Sequence, residues 1–270
     1  MKIIYIAGND RSGSTLVERY INERTNYVCL GEVKHFLAGE MLAEDLCGCG
    51  EELGSCNVWS LVWQLTKEWS VLRLPRLRDI NHKKETSNEL IMRYNTLIKA
   101  LTEMGVETIV DSSKSPEFFT KVVLKSSFQE IRVVHVRRHF GGVYNSMKKK
   151  IVKPERTEEF MNRHSLWYAF VIWFLSNQRA NKMKILNNVQ YKRLEYERFC
   201  DDIQVRDEMI NFLSEQNVIN LGSLQTYHSV SGNPMRFNQP KLQIRKDDEW
   251  RTKLGIPLKL ILEILNNLAK

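Results

Sequence analysis

A glycine-rich loop near the start of the chain has residues suited to binding a phosphate group. Residues 8–15 read Gly-Asn-Asp-Arg-Ser-Gly-Ser-Thr, and Gly8 and Gly13 have the spacing of the P-loop G-x-x-x-x-G-K-[ST]. An apolar segment precedes the loop and residues at helical spacing follow it, so backbone N–H groups and a helix N-terminus would face an anion. Ser14 stands where kinases keep a lysine that contacts the transferred phosphoryl group, and the cation of the loop is Arg11. The loop therefore predicts a phosphate-bearing ligand other than ATP.

Alternating apolar and helical segments indicate the elements that position this loop. Strands are expected at residues 2–7, 28–30, 107–110, 131–137 and 189–194, with helices at about 158–184, 201–216 and 257–269. The pattern predicts an α/β protein with a P-loop-like three-layer fold, in which helices flank a mainly parallel sheet. Because residues 56–101 show no strand pattern, we expect a single domain, 1–270, with a helical and loop insertion at about 37–104.

Polar residues follow four of the predicted strands at the point where each strand ends. They are Arg11 to Thr15, Gly31-Glu32, Asp111 to Lys114, and Arg137-Arg138. In doubly wound sheets, ligands bind beyond the carboxyl ends of the strands. The sequence therefore predicts one site that gathers an anion loop, a carboxylate, a lysine and arginines.

The loop resembles the 5′-phosphosulfate loop of sulfotransferases that use 3′-phosphoadenosine 5′-phosphosulfate (PAPS). That loop reads basic-Ser-Gly-[ST]-Thr directly after the first strand, and here the matching residues are Arg11, Ser12, Gly13, Ser14 and Thr15. The resemblance implies that these five residues bind the 5′-phosphosulfate of PAPS. It also implies that the nucleotide is a co-substrate of this chain.

A second segment resembles the 3′-phosphate motif of the same family, in which an arginine ends a strand and a serine follows eight residues later. Arg138 and Ser146 have this spacing. A dianion favours a forked, permanently charged donor and a hydroxyl near a helix start. His139-Phe140 departs from the family pattern after the arginine, and Arg137 is an alternative to Arg138.

The resemblance also implies residues for the transfer step. Gly31-Glu32 is similar to the Gly-Glu pair of protein-tyrosine sulfotransferases, which implies that Glu32 removes the proton of the acceptor. His35, one helical turn later, is the alternative base. Lys114 stands where the family places a lysine near the sulfuryl oxygens, opposite Arg11. Ser112 and Ser113 are alternatively interpreted as caps of the following helix.

The C-terminal part of the chain extends the resemblance to bacterial sulfotransferases. Residues 232–236 read Gly-Asn-Pro-Met-Arg, similar to an element that closes over the nucleotide in that family. The resemblance implies that Arg236 adds charge near the 3′-phosphate. Tyr196-Glu197 also resembles a family feature, which we interpret as structural.

Composition limits the classes of function. The net charge is +8 and the charged and hydrophobic fractions are 27% and 43%, as expected for a globular protein that binds anions. We find no signal peptide and no apolar run near the ~20 residues of a membrane span, and therefore expect a cytoplasmic protein without membrane insertion. Cys47, Cys49 and Cys56 lack a fourth zinc ligand at suitable spacing, so buried thiols or a local disulfide are expected, and no metal.

The sequence is thus identified as similar to PAPS-dependent sulfotransferases over residues 3–250. Its expected partners are the nucleotide and an unidentified hydroxyl or amine acceptor. Acceptor specificity is expected in the loops at 37–84 and 152–163. One alternative is a P-loop kinase of a small molecule, with Asp111 as a metal ligand. Another is a basic nucleic-acid-binding protein, suggested by the charge and six tryptophans, but no DNA or RNA motif is present.

Overall fold

Five parallel strands form the centre of the fold, in the spatial order β2-β3-β1-β4-β7. The computed structural model describes residues 1–66, 84–149, 152–153, 156–160, 163–214, 227–237 and 242–268. Two further short strands, β5 and β6, pair antiparallel with each other. The strands are β1 Lys2–Gly8, β2 Val28–Gly31, β3 Thr108–Lys114, β4 Glu130–Arg137, β5 Val152–Lys153, β6 Arg156–Phe160 and β7 Val189–Glu195.

Helices connect the strands and cover both faces of the sheet. They are α1 Ser14–Arg24, α2 Val33–Leu37, α3 Trp59–Thr66, α4 Lys84–Glu103, α5 Pro116–Lys121, α6 Phe140–Lys148, α7 Leu166–Asn181, α8 Tyr196–Asp201, α9 Ile203–Leu213, α10 Glu249–Lys253 and α11 Ile256–Asn267. Short 3₁₀ turns lie at Val123–Lys125, Lys182–Ile185 and Pro234–Phe237. No helix in these described ranges is long and apolar enough to cross a membrane.

Burial on both faces explains why β1 reads as a continuous apolar run. Every side chain from Ile3 to Ala7 is fully buried. On one face, β1 packs with α1, α8 and α9, where Val17 and Phe199 are fully buried. On the other face it packs with α2 to α5, where Trp59 and Tyr94 are fully buried. This arrangement confirms the predicted α/β class with a mainly parallel sheet between two helical layers.

A third apolar cluster joins the helices that follow β4 to the C-terminal helices. Its large members are Phe140 of α6, Trp173 of α7, Trp250 of α10 and Leu262 of α11. The indole of Trp250 occupies the space beside Gly141, where an added Cβ would lie 2.7 Å from the ring. The cluster therefore fixes α6 directly after the carboxyl end of β4.

Two sequence-based predictions about the elements were wrong. The helix expected from about residue 158 begins at Leu166, because residues 156–160 pair with β5 in a hairpin and Ser165 takes the N-cap position. The cap of α5 is neither Ser112 nor Ser113, since β3 continues to Lys114. The hydroxyl of Ser115 accepts the capping bond from the N–H of Phe118 at 3.2 Å.

The predicted insertion at 37–104 contains helices α3 and α4 in its described parts, and its boundaries stay a prediction. Residues 67–83 of this insertion lie outside the described residues. The same holds for parts of the predicted specificity loop at 152–163, and for residues 215–216 and 269 at the ends of two predicted helices.

Candidate active site

The candidate site lies at the carboxyl edge of the sheet, beside β1. β3 and β4 flank β1 on opposite sides, so the chain leaves β1 toward β2 on one side and continues from β4 toward β7 on the other. Such a reversal of strand order opens a crevice outside the strand ends. The predicted polar residues lie at or directly after the carboxyl ends of β1, β2, β3 and β4, so the fold brings them to this edge.

The loop after β1 is shaped for an anion. Arg11 and Gly13 adopt left-handed backbone conformations, with φ of 67° and 95°, and α1 begins at Ser14 without a side-chain cap. The N–H groups of the first turn of α1 are therefore not satisfied by a capping side chain. Ser12 is 1% exposed, and its hydroxyl finds no hydrogen-bond partner within the described part of the chain. A buried hydroxyl without a partner is costly, and a phosphate oxygen would satisfy it.

Tyr196 packs between this loop and Arg138. A Cβ on Gly13 would lie 2.4 Å from the Tyr196 ring, so only glycine fits there. The guanidinium of Arg138 lies over the same ring, 4.5 Å from its centroid. The Tyr196 hydroxyl accepts a hydrogen bond from the N–H of Asp247 at 3.2 Å. The sequence indicated a structural role for Tyr196, and its contacts agree with that interpretation.

Arg138 contacts the loop after β1 directly. Its Nη1 donates to the carbonyl oxygen of Arg11 at 3.2 Å, and its Nη2 lies 3.1 Å from the carboxylate of Asp247. The Nε of Arg138 has no hydrogen-bond partner among the described residues. Ser146 follows on α6 and is 9% exposed. Gly142 leaves room for the guanidinium, since an added Cβ would lie 2.7 Å from Nε.

Arg137 points to a different part of the protein. Its Nη1 lies 3.3 Å from a carboxylate oxygen of Glu195, and its Nη2 donates to the carbonyl oxygen of Asn266 at 3.3 Å. Its guanidinium lies 5.2 Å from the centroid of Trp173. These contacts join β4 to β7 and α11. The geometry therefore favours Arg138 as the arginine that serves the loop.

Glu32, Lys114 and Asp10 form a charged chain across the mouth of the crevice. The Lys114 ammonium lies 2.6 Å from Oε1 of Glu32 and 3.5 Å from Oδ1 of Asp10 in the loop. The other oxygen of Glu32 lies 3.3 Å from the ammonium of Lys34. The side chains of Glu32 and Lys114 are about one-tenth exposed. A cation from β3 thus links the loop after β1 with the carboxylate after β2.

Neighbouring charges set the protonation of this chain. Burial opposes the charge of Glu32, but Lys114, Lys34 and His35 outweigh it and hold the pKa of Glu32 well below its usual range. Burial likewise opposes the charge of Lys114, yet Glu32 and Asp10 raise the pKa of this lysine. Both groups are therefore ionised at neutral pH.

His35 lies between two carboxylates. Its Nδ1 is 2.7 Å from a carboxylate oxygen of Glu40, and its Nε2 is 3.5 Å from Oε2 of Glu32. Burial disfavours the imidazolium, but the hydrogen bonds with Glu32 and Glu40 raise the pKa of His35. This arrangement suits His35 to orienting Glu32 and supplying it with positive charge.

Glu18 of α1 is a site residue that the motifs did not reveal. Its carboxylate accepts hydrogen bonds from the N–H of Gly31 at 2.7 Å and from the hydroxyls of Ser112 and Tyr227 at 2.8 Å each. It is 1% exposed, and burial raises its pKa to about 7 against the opposing effect of those hydrogen bonds. Glu18 thus fixes the ends of β2 and β3, which carry Glu32 and Lys114.

Asp111 forms hydrogen bonds within the core of the fold. It is fully buried, and its carboxylate accepts from the hydroxyl of Tyr94 at 3.0 Å and the N–H of Ser113 at 2.8 Å. Burial raises its pKa to about 6. A carboxyl group engaged in this way is poorly suited to the metal-ligand role that the kinase alternative assigns to it.

The segment 227–237 closes one side of the site. The N–H of Glu32 donates to the carbonyl oxygen of Val230 at 3.0 Å, and a Cβ on Gly232 would lie 2.9 Å from Oε1 of Glu32. Arg236 is fully buried, and its Nη2 donates to the carbonyl oxygen of Leu46 at 3.1 Å. Its contribution near a 3′-phosphate stays a prediction.

The expectation that the three neighbouring cysteines lack a fourth ligand was wrong. Folding brings His228 to Cys47, Cys49 and Cys56, and one ligand atom from each lies within 4.8 Å of the others. Sequence spacing did not reveal the histidine because it is 172 residues after Cys56. All five cysteines are free thiols in this structure.

Comparison with solved structures finds a similar architecture in a sulfotransferase domain. The chain is similar to the sulfotransferase domain from the Synechococcus PCC 7002 olefin synthase, with a TM-score of 0.55 and 18% sequence identity over 99% of this chain and 94% of that chain. No protein-family model and no curated protein sequence matches. At this identity the likeness shows a shared fold.

Glu18 predicts a specific dependence of stability on pH. Its pKa is about 7 in the folded protein against an ordinary value of 4.5, so the folded state holds an extra proton between these values. The contribution of Glu18 to the free energy of unfolding is therefore greatest below pH 4.5 and is lost as the pH rises through 7. From pH 5 to pH 8, wild type should lose about 2–3 kcal/mol relative to Glu18→Gln, measured by urea unfolding.

Glu44→Gln, which changes an exposed glutamate, should instead follow wild type at both pH values. Parallel curves for wild type and Glu18→Gln would show that Glu18 ionises normally in the folded protein.

Proposed function

We propose that this chain transfers a sulfuryl group from PAPS to a hydroxyl or amine acceptor. The observation that carries the proposal is the position of Lys114. In a phosphate loop with Ser14 at the lysine position, a cation from β3 lies between Asp10 of the loop and the carboxylate of Glu32. A cation paired with a candidate base suits transfer of an anionic group to an acceptor that loses a proton. The likeness in fold to a sulfotransferase domain supports the same reaction.

The proposed nucleotide contacts divide between two anionic groups. The 5′-phosphosulfate would be held by the N–H groups of the loop at Gly13 to Thr15, by the buried hydroxyl of Ser12, and by Arg11. The 3′-phosphate would be held by Arg138 and Ser146, with further positive charge from Arg236. The burial of Arg138 and its contact with the Arg11 carbonyl support this assignment, because they fix its guanidinium beside the loop.

In the proposed transfer step, the acceptor oxygen or nitrogen attacks sulfur in line with the bond to the nucleotide phosphate. The new bond to sulfur forms as the S–O bond to the phosphate breaks, and the electron pair of that bond remains on the phosphate oxygen. The proton of the acceptor passes to Glu32. Arg11 and Lys114 stabilise the charge that develops on the phosphate and the sulfuryl oxygens.

The ion pair between Lys114 and Glu32 would couple the basicity of Glu32 to nucleotide binding. Lys114 contributes strongly to the low pKa of Glu32, which makes the carboxylate a weak base in the free protein. An anionic phosphosulfate near Lys114 would share its ammonium and reduce its hold on Glu32. The basicity of Glu32 would then rise when the nucleotide is bound, which couples proton removal to the presence of the sulfuryl donor.

Ligand-dependent stabilisation tests the proposed function without an acceptor. A ligand that binds only the folded state at ~100 times its Kd adds about 2.7 kcal/mol to the free energy of unfolding. Adenosine 3′,5′-bisphosphate in magnesium-free buffer should raise the melting temperature clearly, whereas ATP with magnesium should have a much smaller effect. The physical reason is that Ser14 replaces the kinase lysine and ATP leaves the Arg138 site without a 3′-phosphate. The opposite ranking would refute the proposal and favour the kinase.

The assignment of Glu32 as base predicts a loss of turnover. With an acceptor identified by mass-spectrometric screening, Glu32→Gln should lower turnover about 10²-fold or more. Nucleotide affinity should not fall, because removing the carboxylate charge frees Lys114 to bind the anionic donor. The matched control is Glu40→Gln, which removes the other carboxylate partner of His35 and should have a much smaller effect. Near-normal turnover in Glu32→Gln, together with inactive His35→Ala, would transfer the role of base to His35.

Arg138 should distinguish nucleotides by their 3′-phosphate. Loss of a charge-assisted contact costs roughly 1.5–3 kcal/mol, or about one to two decades in affinity. Arg138→Ala should therefore weaken adenosine 3′,5′-bisphosphate far more than adenosine 5′-phosphate in isothermal titration calorimetry. Arg251→Ala removes a half-exposed charge from α10 and should affect both ligands equally and weakly. Equal losses for both ligands in Arg138→Ala would contradict the assignment.

A further inference from the structure

A loop between α2 and α3 brings three thiols to one point. The N–H of Cys47 donates to the carbonyl oxygen of Glu51 at 2.8 Å, and the N–H of Gly50 donates to the carbonyl oxygen of Cys47 at 2.9 Å. These bonds close a tight turn that holds Cys47 and Cys49. The N–H of Cys56 is fixed in turn by the carbonyl oxygen of Glu52 at 2.8 Å. Backbone hydrogen bonds thus position the three cysteines without a disulfide between them.

His228 reaches this loop from the distant segment 227–230. Its carbonyl oxygen accepts a hydrogen bond from Nε1 of Trp59 at 2.7 Å, and the next carbonyl, of Ser229, accepts from the N–H of Gly48 at 2.9 Å. The ring nitrogen Nδ1 of His228 lies 3.3 Å from the sulfur of Cys56 and 3.9 Å from that of Cys47. Backbone contacts on both sides therefore hold the imidazole against the thiols.

The separations match those between ligands of one tetrahedral metal ion. The sulfur of Cys56 lies 3.6 Å from that of Cys47 and 3.7 Å from that of Cys49. Around a tetrahedral Zn²⁺, with Zn–S near 2.3 Å and Zn–N near 2.0–2.1 Å, two sulfurs are about 3.8 Å apart and a sulfur and a nitrogen about 3.6 Å. Four of the six separations therefore lie close to those of a tetrahedral site, and all four ligand atoms lie within 4.8 Å of one another.

The surroundings suit a metal that is shielded from water. Cys47 and Cys56 are fully buried, His228 is 9% exposed, and Cys49 is partly buried. Trp59, which is fully buried, covers one side of the group. Three thiolates and one neutral imidazole form a closed ligand set, with no position left for a water molecule. Such closed sets belong to structural zinc sites, whereas catalytic sites keep an open position.

We propose that Cys47, Cys49, Cys56 and His228 bind a structural Zn²⁺ ion. The ion would join the loop at 46–56 to the segment 227–230, whose Val230 pairs with the end of β2 beside Glu32. Metal binding would therefore stabilise the edge of the sheet that carries Glu32 and the turn that carries Arg236. This inference stands on the ligand geometry and does not depend on the proposed function.

The full chain, purified without chelators and with any histidine tag removed, provides the test. Inductively coupled plasma mass spectrometry should find about one zinc per chain. Cobalt exchanged into the site should give the strong visible d–d bands and the near-ultraviolet charge transfer of tetrahedral cobalt thiolate. Both readouts use the wild-type protein, so neither depends on whether a variant folds.

Variants then assign the ligands. Cys49→Ser and His228→Ala should each lower zinc affinity at least tenfold in competition with a chromophoric chelator, because each removes one of four bonds. Cys200→Ser changes a free thiol of α8 outside the group and should keep the full zinc content.

Three results would overturn the proposal. These are a zinc-free chain that gains no metal on reconstitution under reducing conditions, a cobalt form without thiolate bands, and a disulfide among the three cysteines in protein purified anaerobically without added reductant. Zinc bound by a chain that does not respond to adenosine 3′,5′-bisphosphate would support this inference and refute the proposed function, so the two failures are distinguishable.

Discussion

One buried carboxyl group connects the segments on which the site depends. Glu18 of α1 accepts hydrogen bonds from Gly31 at the end of β2, from Ser112 in β3 and from Tyr227 at the start of the segment 227–237. The loop after β1 lies directly before the first turn of the same helix, so the loop, Glu32 and Lys114 are all held relative to one group. The three hydrogen bonds to Glu18 offset part of the free-energy cost of burying its charged form. The rest of that cost raises the pKa of Glu18 to about 7.

The ion pair of Glu32 and Lys114 is the electrostatic centre of the site. Both side chains are about one-tenth exposed, so each group loses most of its hydration. Their mutual attraction, together with the ion pair between Lys34 and the second carboxylate oxygen of Glu32, compensates for the lost hydration. A pair of this kind is sensitive to any further charge that enters the crevice, because low local dielectric strengthens every interaction there. This sensitivity links the resting structure to the proposed arrival of an anionic sulfuryl donor.

The C-terminal third of the chain returns to the site at two places. Val230 pairs with Gly31 at the end of β2, and the carboxylate of Asp247 pairs with Arg138. Tyr196 supports the second contact, with its ring against both Gly13 and Arg138. The walls of the crevice thus come from segments far apart in sequence, while its floor comes from the ends of β1, β2, β3 and β4. In the proposed zinc site, His228 would bind the first of these returning segments to the loop at 46–56.

The sequence by itself determined the features that depend on local pattern. These include the five strands of the sheet, the glycine-rich loop with Ser14 at the lysine position, and the eight-residue interval from Arg138 to Ser146. Apolar runs, turn residues and fixed spacings act over short stretches of chain, so they can be read without knowing the fold.

Only the tertiary structure decided which side chains meet across long sequence distances. Arg137 and Arg138 are adjacent in sequence and of the same residue type, and only the packing of Tyr196 and α11 sends one to the loop and the other to Asn266. The three bonds of Glu18 and the approach of His228 to the cysteines likewise join residues that no local motif relates. Hairpin pairing made residues 158–160 part of a strand where a helix was expected. In each case the deciding energy comes from contacts formed after the chain has folded, which the order of residues alone does not express.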